Sequence, residues 1–377
     1  MKFETLCVHP TTNIDDQYGA IATPIYQSAT FVHANLDEPS KYSYSRLSNP
    51  TRCHLEDLVM KLEQGKSCTG FSTGMAAITC VFKTFKSGDH FICSEDLYGG
   101  ALRLFRTLKE DNYKFDFIDT NNLELLKSKI NKNTKAIYIE TPSNPLMNVT
   151  DIEEVSKICK DNNLLLIVDN TFLTPYFQKP ILLGADIVIH SGTKYLGGHN
   201  DTLAGFVITN SEKLGENVLY YAKTIGASLS PFDSFLIERG IKTLPLRMNQ
   251  INNNAIKIAS YLKEQPCILK VNYVGLKDNP GYLINKKQSK GFGGMISITL
   301  ESEALARKIL KNIKIFKYAE SLGGIDSLIT YPMYQTHADL PKEERDKKGI
   351  NEQFLRISVG IENVEDLIED LRQAIYE

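Results

Sequence analysis

Two neighbouring apolar runs end in residues that could do chemistry together. LLLIVD (164–169) closes on Asp169 and is followed by Asn170-Thr171, and DIVIH (186–190) leads into Ser191-Gly192-Thr193-Lys194. Asp169 and Lys194 stand 25 residues apart, enough for one crossover between parallel strands. Both then lie near the strands' carboxyl ends, where open α/β sheets bind ligands. An Asp alone reads as a turn or helix cap, and a Lys alone as a solvated loop residue. The pair, with Ser191 and Thr193 beside the lysine, favours a different chemistry. A carboxylate can hold a pyridinium nitrogen, an amine can form a Schiff base, and hydroxyls can take a phosphate. Those are the needs of pyridoxal 5'-phosphate.

A second stretch, STGMAA (72–77), reads either as a helix N-terminus suited to an anion or as a plain turn into a buried helix. Gly70 to Gly74 also satisfies G-x-S-x-G. A nucleophile elbow through Ser72 requires a strand directly before it, and EQGKSCT (63–69) is a poor strand. G-x-x-x-x-G-K-[ST], G-x-G-x-x-G and H-E-x-x-H are missing. The seven histidines form no ligand-like cluster, so no metal is expected.

These residues need elements to hold them. Leu55, Leu58, Val59 and Leu62 recur at helical spacing. HFIC (90–93), FDFID (115–119), AIYIE (136–140) and GFVIT (205–209) join the two runs above as candidate buried strands. Thr150 and Glu153 form a capping-box signal for a helix over about 151–161. Buried strands alternating with helices predict a mainly parallel α/β sheet over 51–247. Over 248–377, MISITL (295–300) and FLRISV (354–359) read as strands. ESEALARKIL (301–310) and NVEDLIEDLRQAI (363–375) read as helices, the last capped by Asn363 with Val364, Leu367, Ile368, Leu371 and Ile375 on one stripe. This predicts a smaller α+β domain. PKEERDKK (341–348) reads as a solvated loop or helix end. Residues 1–50 look irregular, as if they need the domain body or a second subunit to pack against.

Composition limits the partners. The chain has 377 residues, 42% apolar and 23% charged, with a net charge of −2. No basic excess points to nucleic acid, and no apolar run reaches the roughly 18 residues of a membrane span. Seven cysteines without a C-x-x-C, and no signal-peptide pattern, predict a cytoplasmic protein without a disulfide framework.

With these residues in view, the chain resembles the Cys/Met-metabolism group of fold-type I pyridoxal-phosphate enzymes: cystathionine γ-synthases, cystathionine γ- and β-lyases and methionine γ-lyases. The matching motifs are YSYSRLSNPTR (42–52), FSTGMAA (71–77), EDLYGGALRLF (95–105), ETPSNPL (140–146), VDNTF (168–172), HSGTKYLGGHND (190–201), SPFDSFLIERGIKTLPLRM (230–248), AESLGGIDSLITYP (319–332) and LRISVGIE (355–362). They run in family order over nearly the whole chain. The resemblance implies an aspartate-aminotransferase-like fold with a smaller C-terminal domain. It implies that Lys194 carries the Schiff base, Asp169 pairs with the pyridine nitrogen and Tyr98 stacks on the ring. Gly74, Met75, Ser191 and Thr193 would hold the phosphate, Asn144 would meet the ring hydroxyl side, and Tyr44 and Arg46 would reach in from a neighbouring subunit of a tetramer built as a dimer of dimers. Arg356 would fork onto the substrate α-carboxylate. Arg103 matches an arginine used for a distal carboxylate. Glu320, with Ser321 beside it on the substrate side, matches the acidic position of γ-synthases and γ-lyases. Gly100 stands where methionine γ-lyases usually have Cys. Ser43 departs from an acidic residue in many relatives, and ITYPMYQTHADLP (329–341) looks most like bacterial γ-synthases.

The chemistry expected from this resemblance is trans-sulfuration of small sulfur amino acids. Tyr98, as a phenolate near Arg46, would take the substrate amine's proton, and Lys194 would shuttle the α- and β-protons. The leading expectation is γ-replacement on an O-acylhomoserine, with cysteine taking the place of the acyloxy group, and a cystathionine β- or γ-lyase is the alternative. A serine hydrolase through Ser72 and a non-catalytic relative are the other readings.

Overall fold

The computed structural model describes residues 1–9, 18–38, 40–338 and 341–377. Residues 10–17 and 39, in the N-terminal stretch, and 339–340, within ITYPMYQTHADLP, lie outside the described residues. The strands of the first part are β1 (Ser67–Phe71), β2 (His90–Ser94), β3 (Lys114–Ile118), β4 (Thr134–Glu140), β5 (Leu165–Asp169), β6 (Ile187–Ser191) and β7 (Gly205–Thr209). They form one seven-stranded sheet in the order β1-β7-β6-β5-β4-β2-β3. Strands β6, β5, β4, β2 and β3 are parallel, and β7 and β1 close one edge antiparallel. Parallel strands covered on both faces need apolar residues without alternation, and His90–Ser94 is buried at every position.

The helices of this part are α1 (Phe3–Val8), α2 (Pro50–Glu63), α3 (Gly74–Lys83), α4 (Gly99–Glu110), α5 (Leu123–Lys129), α6 (Ile152–Asp161), α7 (Thr174–Phe177), α8 (Glu212–Ile225), α9 (Pro231–Ile241) and α10 (Leu244–Lys263). The stripe Leu55, Leu58, Val59 and Leu62 of α2 is fully buried against Ile137, Ile139, Leu166, Val168 and Val188 on one sheet face. Ile167, Ile187, Ile189 and Val207 meet Phe82 and Phe105 on the other. Burying each such side chain contributes about 1.5–3 kcal/mol.

The second sheet contains β8 (Ile268–Asn272), β9 (Met295–Leu300), β10 (Lys317–Tyr318), β11 (Leu328–Thr330) and β12 (Phe354–Ser358), in the order β10-β11-β12-β9-β8. Its helices are α11 (Tyr282–Gln288), α12 (Glu303–Asn312), α13 (Lys342–Lys347) and α14 (Val364–Tyr376). In α14, Asn363 accepts from the Glu365 N–H as N-cap, and Val364, Leu367, Leu371 and Ile375 are buried with Ile368 half-buried. The long helix α10 runs through residues 247 and 248 and packs against β8, β9 and α14.

Four expectations need correction. Ser67–Phe71 is a strand despite its weak composition, because all five residues pair antiparallel with β7; the tertiary partner overrides local preference. The cap of α6 is Asp151, whose side chain accepts from the Glu154 N–H, while the Thr150 hydroxyl pairs with Thr120 instead (2.7 Å). The N-terminal stretch contains α1, held by the buried Cys7. PKEERDKK forms the exposed helix α13, with Glu344 paired to Arg106 (2.9 Å). No helix of the described residues is long and apolar enough to cross a membrane.

Candidate active site

The carboxyl ends of β4, β5 and β6 open into a cavity of about 370 Å³. The N-terminal turn of α3 walls one side, Tyr98 at the start of α4 another, and residues 320–322 with Arg356 of β12 close it from the second sheet.

Asp169 ends β5. Its Oδ1 accepts from the Thr171 N–H (3.0 Å) and hydroxyl (2.6 Å), and the same Thr171 oxygen accepts from the Ser191 N–H (2.9 Å). One threonine thus ties the ends of β5 and β6 together. In-register pairing sets Glu140 of β4 beside Asp169. Burial raises both carboxyl groups, and the neighbouring Asp169 charge pushes Glu140 further up. Asp169 has the two Thr171 donors and His190 to favour its ionised form, whereas Glu140 has the Tyr98 N–H (2.9 Å) and, more weakly, the Arg356 charge, against the Asp169 charge that opposes it. Asp169 is therefore the better carboxylate and Glu140 the better proton holder.

Lys194 lies three residues past β6. Its Nζ donates to Ser321 Oγ (2.7 Å). Burial first, then the Arg356 charge, lowers its pKa to about 8, and Glu320 pulls the other way. Ser321 holds a left-handed φ of 85°, a costly conformation for a residue with a Cβ. That backbone turns its hydroxyl to Lys194 and its carbonyl to Arg356 Nη2 (3.0 Å). Arg356 also donates to Asn144 Oδ1 (2.9 Å) and Thr330 Oγ1 (3.1 Å). Its Nε is buried without a partner, and burial lowers its pKa to about 10.

Gly74 and Met75 open α3 after the N-cap Thr73, and they line the cavity with Ser191 and Thr193. Tyr98 is 40% exposed. A Cβ at Gly100 would run into the Tyr98 ring and come within 3.0 Å of Met75 Sδ, so glycine there lets the ring lie back over α4. This gives Gly100 a packing reason of its own.

The fold thus brings Lys194, Asp169, Tyr98, Gly74, Met75, Asn144, Ser191, Thr193, Glu320, Ser321 and Arg356 to one cavity. It does not bring Tyr44, Arg46 or Arg103 there. Arg46 donates to the Lys223 carbonyl (2.9 Å) and lies over the Tyr44 ring. Arg103 is exposed on α4. Glu140 and Thr171 also line the cavity and were missed. A signal for Glu140 existed: a charged residue closing the apolar run AIYIE. Ser72 does follow a strand, but it is not among the residues with positive φ, and the turn ends in the cap of α3 rather than in a strained elbow.

The family described as Cys/Met metabolism PLP-dependent enzyme matches residues 4–376. The chain is 48% identical over 376 residues to a cystathionine gamma-lyase of Bacillus subtilis, covering 100% of this chain and 99% of that protein. It is 48% identical over 375 residues to a cystathionine beta-lyase of Lactococcus lactis, covering 99% of each. A cystathionine gamma synthase structure from Xanthomonas oryzae, in complex with aminoacrylate and cysteine, superposes with a TM-score of 0.97 at 38% identity, covering 100% of this chain and 98% of that one. The fold is the expected fold-type I architecture, and pyridoxal phosphate is the cofactor of such enzymes. The chain belongs to the Cys/Met-metabolism family of pyridoxal-phosphate-dependent trans-sulfuration enzymes.

Proposed function

We propose that the enzyme acts at the γ-carbon of a homoserine-type substrate, where the Cγ–O bond breaks, the acyloxy group leaves as a carboxylate, and cysteine sulfur bonds to Cγ to give cystathionine. The observation that carries this reading is the placement of Glu320 and Ser321 at the cavity wall, against Lys194. Chemistry at the γ-carbon asks one base to move protons at both the α- and β-carbons. An amine lowered to about 8 by burial and then by Arg356, with Glu320 pulling it back up, can cycle between base and acid near neutral pH.

The residues fit pyridoxal phosphate. A Cβ on Gly74 would come within 3.0 Å of Ser191 Cβ, so glycine keeps a cradle open beside the first N–H groups of α3. In this reading Gly74, Met75, Ser191 and Thr193 hold the phosphate, Asp169 the pyridine nitrogen and Asn144 the ring hydroxyl side, with Tyr98 stacked on the ring. When bound, the cofactor supplies an electrophilic carbon for an amine and a conjugated ring that disperses the charge left by proton removal. The Tyr98 side-chain oxygen, in its phenolate form, would take the substrate amine's proton. Lys194 Nζ takes the α-proton and moves the β-proton, steadied by Ser321 Oγ. Arg356 holds the α-carboxylate. Tyr44 and Arg46, directed elsewhere in their own chain, serve the cavity of a neighbouring subunit in a tetramer built as a dimer of dimers. Arg103 has the distal-carboxylate role by resemblance alone. The arm is 1–50, the cofactor domain 51–247 and the small domain 248–377, in a cytoplasmic enzyme.

The second reading, a lyase, rests on the gamma-lyase and beta-lyase relatives at 48% identity, a figure that a cystathionine gamma-synthase/O-acetylhomoserine (thiol)-lyase of Bacillus subtilis equals. One assay separates the two. The reconstituted enzyme receives cysteine with O-succinyl-, O-acetyl- or O-phosphohomoserine, and in parallel cystathionine alone; products are identified by mass spectrometry. Accumulating cystathionine supports replacement and names the donor. Pyruvate from cystathionine indicates β-cleavage and 2-oxobutyrate γ-cleavage, and either without cystathionine synthesis overturns the synthase reading.

Cofactor capture carries a pH signature. Only the neutral Lys194 amine attacks a carbonyl, so capture speeds up as pH rises and levels off above a midpoint of about 8. Stopped-flow absorbance after mixing cofactor-free protein with pyridoxal phosphate reads this directly. A midpoint near the ordinary lysine value of 10.5 would show that the amine is not held in the buried setting described.

A further inference from the structure

We propose that Arg247 is a positioning residue for Lys194, a clamp that fixes the turn from which the lysine reaches the cavity; this rests on the reading of Lys194 as the cofactor lysine. Arg247 is almost fully buried in the first turn of α10 and is not among the residues that line the cavity. Its Nη1 donates to the Tyr195 carbonyl (2.8 Å), and its Nη2 donates to the carbonyls of Leu196 (3.4 Å) and Gly240 (2.7 Å). Its Nε donates to Thr243 Oγ1 (3.2 Å). Among the described residues it forms no ion pair.

A buried guanidinium without an acid is costly to keep unless its donors are met, and here a planar fork of donors meets a fixed set of carbonyls. The carbonyls are what make the arrangement informative. The Lys194 carbonyl accepts from the Gly198 N–H (2.8 Å), and the next two carbonyls go to Arg247. Three consecutive peptide units, beginning with that of Lys194 itself, are thereby pinned.

The packing leaves no slack. Gly198 has a φ of 74°, and a Cβ there would run into the Arg247 guanidinium. A Cβ on Gly240 would strike the Gly197 carbonyl. On the opposite side, a Cβ on Gly323 would come within 2.8 Å of the Tyr195 nitrogen. Residues 320–324 of the small domain therefore press on the turn while Ser321 receives the lysine amine. The helix that carries Arg247 also reaches the small domain. Further along α10, Asn254 donates to the carbonyls of Gly360 (3.1 Å) and Glu362 (2.8 Å), just past the strand that carries Arg356. The helix thus relates the position of the lysine to the element that holds the substrate carboxylate.

The test compares the parent enzyme with Arg247→Met and Arg247→Lys as full-length proteins. Three quantities are read well below each melting midpoint: the rate at which added pyridoxal phosphate develops visible absorbance, the site of the borohydride-reduced adduct by peptide mass, and kcat and KM. Arg247→Met is expected to slow capture at Lys194 by about 10- to 100-fold and to lower kcat more than it raises KM, because small misplacements of a reacting group cost this much. Arg247→Lys should fall between, since an ammonium keeps the charge but loses the fork. If the Met variant fails to fold, the Lys variant decides. A folded variant that captures the cofactor and turns over at the parent's rates overturns the clamp while leaving Lys194 in its role. A parent adduct on another lysine, or on none, overturns both the cofactor reading and the clamp.

Discussion

Lys194→Ala leaves a folded protein that neither develops the visible band of a lysine adduct with pyridoxal phosphate nor turns over. The acid–base contribution of Nζ alone is worth about 10²- to 10⁴-fold, and loss of the covalent attachment adds to it. The structure separates this from a folding defect. Below pH 8 the Lys194 ammonium is charged in both the folded and unfolded chains, and its burial costs the fold. Between about 8 and the ordinary value of 10.5 the unfolded chain binds more protons, so this cost fades as pH rises. The variant without cofactor should therefore melt no lower than the cofactor-free parent at pH 7. Its Ser321 hydroxyl loses the lysine but still lines an open cavity. A small primary amine added to the assay should restore part of the turnover, because the missing group is a base of that type. Retention of more than a tenth of parental activity, or of the absorbance band, would remove Lys194 from the centre of the chemistry.

The residues legible from sequence were those whose role is set by where a strand ends. Asp169 closes one apolar run and Lys194 follows just after the next, with one crossover between them, and parallel pairing of β5 with β6 does the rest. Glu140 was missed because its importance depends on register: only the Glu140–Asp169 pairing makes it Asp169's neighbour and the acceptor for Tyr98. Thr171 was missed for the same reason, since its hydroxyl matters through the Ser191 N–H of another strand. Ser67–Phe71 looked unlike a strand because its stability comes from β7, well over a hundred residues later. Arg247 was visible only as part of a motif. Its three carbonyl partners converge from α9 and the Lys194 turn, a geometry no local pattern expresses. Tyr44 and Arg46 show the opposite limit: the family resemblance implies a role across subunits, and a single chain turns both away from its own cavity.

Arg356→Ala should separate substrate binding from cofactor capture. Of the guanidinium's five N–H donors, Asn144, the Ser321 carbonyl and Thr330 take three. Two remain, one of them the buried Nε without a protein partner. A carboxylate needs two donors, and an inserted anion would offset the cost of burying this charge. Truncating one partner of such a buried pair costs about 2–5 kcal/mol. At about 1.4 kcal/mol per factor of ten, kcat/KM for the amino-acid substrate should fall by about 30- to 4,000-fold. Arg356→Lys should recover only part, because an ammonium lacks the planar fork. An amine analogue without the α-carboxylate supplies the control: it should react with parent and variant at similar rates, and an equal loss for both compounds would mean that Arg356 only supports the fold. The visible band should persist in Arg356→Ala, since the proposed cofactor contacts lie on other residues. Its pH behaviour should change in a defined direction. Arg356 lowers the Lys194 pKa, so removing it lets the amine rise above about 8, and the midpoint for cofactor capture moves to higher pH. A midpoint that stays in place or falls would break the electrostatic link between Arg356 and Lys194.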